Sequence, residues 1–260
     1  MSANTTPLLT IDKLGKNFGG NRAVDDISFT VAAGELLALI GPNGAGKSTT
    51  FNMVNGQLAP DGGRILLDGQ SLVGLKPRTI WKRGVGRTFQ IAETFASLTV
   101  VENVQMALLS ADSLLYSMWR RADQHRRAEA MALLEQVGMA EQFDRPCSVL
   151  AYGDVKRVEL AIALANKPRL LLMDEPTAGM APQERNALMA LTKDLVQQHG
   201  LAVLFTEHSM DVVFAYADRI IVLARGRLIA EGSPAEIRDH PEVQAVYFGS
   251  GKTFEKAGAA

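Results

Sequence analysis

The chain has 260 residues, 47% of them apolar, and a net charge of −1 at neutral pH. That suffices for one large domain or a domain with an inserted subdomain, and it provides no global basic field of the kind that draws nucleic acid. The single cysteine, Cys147, excludes an intrachain disulfide framework and a cysteine-based metal site, and no apolar run approaches the roughly 18 residues of a membrane-spanning helix.

Residues 1–7 contain no basic segment leading into an apolar one, so no signal peptide is expected, and membrane association is expected only through partners. Residues 8–18 read as a first strand ending in a turn at Gly19-Gly20. Residues 24–31 alternate, with Val24, Ile27, Phe29 and Val31 apolar, and read as a second strand closed by Gly34. Together they predict a small β-rich layer ahead of the main sheet. Phe18, by position alone, reads as a core aromatic.

The apolar run 35–40 predicts a buried strand, and residues 49–55 a helix. Between them stand Gly41, Pro42, Asn43, Gly44, Ala45, Gly46, Lys47, Ser48 and Thr49, which fit the phosphate-loop pattern G-x-x-x-x-G-K-[ST] at every fixed position. Strand, glycine turn and helix form the context this pattern needs. Glycines let backbone N–H groups close around phosphate oxygens, and a helix N-terminus adds partial positive charge there. Lys47 supplies a full charge for the β- and γ-phosphates, and the Ser48 hydroxyl is placed for Mg2+. The sequence therefore predicts a nucleoside-triphosphate site.

Asp61-Gly62-Gly63 predicts a turn, residues 64–67 a strand, 76–83 a short helix, and 86–89 a strand that ends at Gln90. The pattern then changes. Residues 100–109 and 127–137 carry apolar positions at helical spacing, Gly138 closes the second of these helices, and Gly153 opens another running to 166. Arg120, Arg121, Arg126 and Arg127, interleaved with Asp123 and Glu129, read as a solvated helix face. Residues 91–165 are thus predicted to be a helical insertion in an α/β core.

The core resumes with four apolar residues at 170–173, expected to form a buried parallel strand. Asp174 and Glu175 follow at its C-terminal end, where open α/β sheets place their ligands. One carboxylate can bind Mg2+, directly or through water, and the other can orient or deprotonate an attacking water. Residues 182–198 predict a helix and 201–206 a further buried strand, followed by Glu207-His208. Residues 219–224 and 227–231 predict a hairpin, 242–248 a final helix, and 249–260 a frayed tail.

With these residues placed, the chain resembles the ATP-binding subunits of ABC transporters over nearly its whole length. The matching segments are the phosphate loop, Thr88-Phe-Gln90, Leu150-Ala-Tyr-Gly-Asp154, residues 170–177 and Glu207-His208. The resemblance implies an α/β P-loop NTPase core, a mixed sheet with an N-terminal antiparallel β layer, formed by 1–90 and 166–260. The helical subdomain would span 91–165. It implies ATP and Mg2+ as ligands, with Ser48, Gln90 and Asp174 at the metal, Glu175 as catalytic carboxylate and His208 as switch histidine. Phe18 becomes an adenine-stacking aromatic. Leu150, Ala151, Tyr152, Gly153 and Asp154 become the signature segment, which reaches ATP on a partner subunit.

That segment departs from the usual L-S-G-G-Q at Ala151, Tyr152 and Asp154, and Met180 stands where an aspartate is frequent. These departures, the Ala-Gly-Met-Ala-Pro182 turn, and the ending from Ile237 to Tyr247-Phe-Gly look like the first of the two ATPases of branched-chain amino acid importers. Such a resemblance implies a second ATP-binding subunit, two transmembrane permease subunits, and indirectly a periplasmic or extracellular solute-binding protein. The location implied is peripheral, on the cytoplasmic face of a bacterial inner membrane. A soluble ABC ATPase acting on ribosomes or DNA ranks lower, because the chain has one cassette and a short insertion. A lipid or lipopolysaccharide export motor is disfavoured by Tyr152.

Overall fold

The computed structural model describes residues 7–88, 94–111 and 126–248. Gln90, Arg120, Arg121, Asp123 and the tail 249–260 lie outside them.

The N-terminal layer is a four-stranded antiparallel sheet of order β2-β1-β4-β5, built from β1 (Leu9–Phe18), β2 (Asn21–Val31), β4 (Gly62–Leu67) and β5 (Gln70–Ser71). Leu9 faces Val31 and Leu67, and Ile11 faces Phe29 and Ile65, so the alternating apolar residues form cross-strand rows on one face. Gly62 and Gly63, expected in a turn, open β4 instead. Gly63 crosses a bulge in β1, where a Cβ would come within 2.3 Å of the Lys13 carbonyl oxygen.

The main sheet has six strands. They are β3 (Leu36–Ile40), β6 (Val85–Thr88), β7 (Leu170–Asp174), β8 (Ala202–Thr206), β9 (Arg219–Ala224) and β10 (Arg227–Gly232), in the order β10-β9-β3-β8-β7-β6. All neighbours are parallel except the β9–β10 hairpin.

Each central strand is buried on both faces, which is why it reads as an unbroken apolar run. Leu37, Leu39, Leu170, Leu172 and Leu204 face the antiparallel layer and α1 (Lys47–Val54), with its Phe51 and Met53. Ala38, Ile40, Leu171, Met173, Val203 and Phe205 face the opposite way. There they meet α3 (Val100–Ala111), α4 (Arg127–Gln136), α5 (Tyr152–Leu164), α6 (Pro182–His199) and α7 (Met210–Tyr216). Burying each large apolar side chain contributes about 1.5–3 kcal/mol. Helices α3, α4 and α5 share this cluster with the sheet through Val104, Leu134 and Val158.

The remaining helices are α2 (Pro77–Lys82), α8 (Pro234–Asp239) and α9 (Pro241–Phe248). The sequence reading lacks β5, α7 and α8, which are too short to show a period. Among the described residues, no helix is long and apolar enough to cross a membrane.

Candidate active site

The site gathers at the C-terminal ends of β3, β8 and β7, which are neighbours in the sheet although distant in sequence. The loop after β3 has a backbone that only glycine fits at two points. At Gly41 (φ +153°) a Cβ would lie 2.2 Å from the Leu223 carbonyl oxygen, and at Gly46 (φ +103°) one would lie 2.5 Å from that of Ala23. The β9–β10 turn braces the loop from outside, its Gly226 N–H donating to the Ala45 carbonyl at 3.1 Å.

Lys47 opens α1 and bends back over the loop. Its ammonium donates to the carbonyls of Gly41 at 2.6 Å and Pro42 at 3.2 Å. Burial pulls its pKa down, while the charges of Glu175 and Asp174 pull towards the protonated form. A buried cation on a glycine cradle beside a helix N-terminus is fitted to an anion.

The loop lines a cleft of about 510 Å³ whose other walls include Phe18, Arg22, Glu175, His208 and Arg225. Phe18 is 49% exposed, so the expectation of a core residue drawn from its position alone is wrong. Its ring stands at the cleft wall because the Gly19-Gly20 turn puts it at the end of β1.

Thr206 organises the two acids at the end of β7. Its hydroxyl donates to Asp174 Oδ1 at 2.8 Å and accepts the Glu175 N–H at 3.1 Å. Glu175 takes φ +48°, a left-handed conformation that is costly for a residue with a Cβ. Its carboxylate Oε1 lies 2.8 Å from His208 Nε2. Glu207 is 3% exposed, and its carboxylate accepts from the N–H and hydroxyl of Thr177 at 2.9 and 2.6 Å and from the His208 N–H at 3.1 Å. One buried carboxylate thus ties the loop after β7 to the loop after β8.

Asp174 Oδ2 also faces Arg87, at 3.4 Å. The Ser48 hydroxyl, which lines the cleft, and the Asp174 carboxylate, at the end of β7, are hard oxygen atoms of the kind that Mg2+ takes alongside phosphate and water. Both Asp174 oxygens already have partners, which suits a contact through water. Gln90, expected at the same metal, lies outside the described residues.

Ala151 caps the N-terminus of α5 without a side-chain hydrogen bond. Helix α5 starts at Tyr152, one residue before the expected Gly153. Gly153 is buried, and a Cβ there would meet the Glu184 carboxylate at 3.3 Å and Met180 Cε at 3.5 Å. Asp154 accepts from Gln142 at 3.2 Å, whereas Val149 and Tyr152 are exposed. None of the residues 150–154 lines the cleft that holds Lys47 and Glu175.

Arg87, Thr206 and Glu207 received no role from the sequence, since each acts by linking segments distant in sequence whose adjacency is set by the sheet order. A polar residue at the end of an apolar strand is the one local signal that marks Thr206 and Glu207.

This combination of glycine cradle, buried lysine and strand-end acids defines a P-loop nucleotide-binding protein. Residues 24–178 match the family model described as ABC transporter, and residues 227–253 match that of the branched-chain amino acid ATP-binding cassette transporter. The chain is 40% identical over 250 residues to the high-affinity branched-chain amino acid transport ATP-binding protein LivG of Escherichia coli (strain K12), covering 94% of this chain and 98% of LivG. The ADP conformation of MJ1267, an ATP-binding cassette of an ABC transporter, aligns with a TM-score of 0.86 at 31% identity, over 94% of this chain and 100% of that one. The dimeric post-hydrolysis state of the ATP-binding cassette MJ0796, bound to ADP and Pi, aligns at 0.73 and 26% identity, over 87% and 98%. The chain belongs to the ABC transporter family, as one of its ATP-binding cassettes.

Proposed function

We propose that the chain is the ATP-hydrolysing motor of an importer for branched-chain or related hydrophobic amino acids. The observation that carries the ATPase reading is the convergence of Lys47, Glu175, His208 and Phe18 on one cleft. Similarity to LivG over nearly the whole chain, with the separate match at 227–253, supports the solute class.

In this reading, adenine stacks on Phe18, and residues 41–49 cradle the phosphates with Lys47 against the β- and γ-groups. Ser48, Gln90 and Asp174 are the residues that would hold Mg2+, which supplies positive charge to screen the phosphates. Glu175 orients a water and takes its proton as the water oxygen attacks the γ-phosphorus. The bond from that phosphorus to the bridging oxygen breaks, leaving ADP and inorganic phosphate. His208 steadies Glu175 and offers its ring to a γ-phosphoryl oxygen. The Glu175 backbone, held by the Thr206 hydroxyl, favours this step by aiming the carboxylate in advance.

The signature segment, residues 150–154, has no place in the cleft of its own chain. With Val149 and Tyr152 exposed beside the start of α5, it supports a face-to-face arrangement of two cassettes in which each segment completes the other's site. The dimeric form of the similar cassette MJ0796 is in keeping with this. Helical residues 91–165 would then move as a subdomain against the core and meet two permease subunits, placing the chain peripherally at a membrane.

The test is to purify the chain with whatever proteins accompany it from gently solubilised membranes, and to measure leucine uptake with and without it. Co-purifying permease subunits and loss of leucine uptake on deletion are expected. ATP hydrolysis with no membrane partner and unchanged uptake would leave the ATPase and remove the importer.

A further inference from the structure

We propose that Arg87 is a positioning residue that sets how strongly nucleotide binding depends on Mg2+. The inference rests on the ATP-site reading above and assigns a part to a residue outside the phosphate loop and the strand-end acids.

Arg87 lies in β6, paired in register with Leu172 of β7, and three residues ahead of Gln90. Its side chain is 9% exposed. One guanidinium nitrogen, Nη1, donates to Asn52 Oδ1 and Gln57 Oε1, both at 2.9 Å, and Nη2 faces Asp174 Oδ2 at 3.4 Å. Asn52 belongs to α1, the helix that Lys47 opens, and Gln57 follows that helix closely. The guanidinium therefore joins the phosphate-loop helix to the metal-side carboxylate, on the strand that leads into Gln90.

A buried cation is costly unless a charge compensates it. Asn52 and Gln57 are neutral and orient the fork, while Asp174 brings an opposing charge to it. A planar guanidinium serves several acceptors in fixed directions, which an ammonium does not.

The electrostatic consequence has opposite signs with and without metal. Without Mg2+, Arg87 offsets the Asp174 charge in a site that receives a polyanion, so it favours the bare triphosphate. When Mg2+ binds, Arg87 competes with it for the same carboxylate. Removing the guanidinium charge should weaken metal-free binding and lower the Mg2+ requirement together. A role confined to packing would weaken binding equally under both conditions.

The experiment uses the full chain and a fluorescent N-methylanthraniloyl ATP, titrated at equilibrium in EDTA and then with rising Mg2+, with thermal unfolding recorded alongside. In Arg87→Gln, metal-free affinity is expected to fall roughly three- to tenfold, and the half-saturating Mg2+ concentration by a similar factor. Arg87→Lys should recover part of the metal-free affinity through its charge. Asn52→Ala, which keeps the guanidinium but frees it on one side, should shift both quantities the same way by less, and it carries the test if Arg87→Gln does not fold. Equal loss in both conditions, or no change in either, would overturn the proposal. Failure of the unaltered chain to bind the probe at all would instead remove the ATP reading beneath it.

Discussion

His208 Nε2 stands 2.8 Å from Glu175 Oε1, across the ends of two neighbouring strands. Neither residue is held by this contact alone. The Glu175 backbone is fixed by Thr206, and the loop carrying His208 is fixed by the buried Glu207 carboxylate. The pair is thus aimed by two adjacent residues, Thr206 and Glu207, at the cleft that contains Lys47.

Glu175→Gln keeps the shape of the side chain and removes its basicity. Turnover is expected to fall about 10²–10⁴-fold, equivalent to roughly 3–5 kcal/mol of barrier, with ATP binding retained. Phosphate release and equilibrium nucleotide binding, measured on the same preparation, decide this. Near-normal turnover would remove Glu175 from the role of base.

Thr206→Val preserves the packing of β8 and deletes the hydroxyl that holds Asp174 and the Glu175 N–H. The expected loss is about 1–3 kcal/mol in stability, because a charged acceptor and a backbone donor both lose a partner. Turnover should drop roughly ten- to hundredfold through misplacement of Glu175. A variant less stable but fully active would show that the hydroxyl serves the fold and not the geometry of the acids.

Gly44 and Gly46 both have positive φ but differ in their surroundings. A Cβ at Gly44 meets nothing within 4 Å, whereas one at Gly46 comes within 2.5 Å of the Ala23 carbonyl oxygen. Gly44→Ala should cost about 1 kcal/mol, from backbone strain alone. Gly46→Ala should cost about 3 kcal/mol or more, since the loop or β2 must shift. Denaturant unfolding of the two variants gives the comparison, and equal costs would show that the steric difference is absorbed.

Away from the cleft, the Ser233 N–H, 2.7 Å away, and the Ser233 hydroxyl hold the Glu236 carboxyl below its usual pKa, at the start of α8. A lowered folded-state pKa stabilises the fold above the unfolded value, and that contribution is lost as pH falls through the lowered value. Glu236→Gln should therefore unfold at a lower temperature than the parent at neutral pH, and the gap should close on acidification. A gap that persists below the lowered pKa would mean that the contact does not depend on the charge.

The glycine-rich loop, the buried strands and the helices α3, α4 and α5 were legible because each leaves a local pattern. Fixed glycines mark a loop that only glycine can build, and unbroken apolar runs mark strands covered on both faces. Short elements such as α7 and β5 leave too few residues for a period, and the Gly62-Gly63 turn was misread because glycine marks a close crossing as readily as a turn.

The sequence by itself determined that the chain carries a glycine-rich loop of phosphate-binding pattern, two strand-end acids and a strand-end histidine, since these rest on contiguous residues. The tertiary structure alone decided which side chains meet. The order β3-β8-β7-β6 sets Thr206 between the phosphate loop and the acids, brings Arg87 to Asp174, and gives Glu207 its place between two loops. It also exposes Phe18 at the cleft wall and keeps residues 150–154 out of it. Hydrogen bonds and ion pairs act over a few ångströms in space, and that proximity comes from sheet order and packing, which no local run of residues encodes.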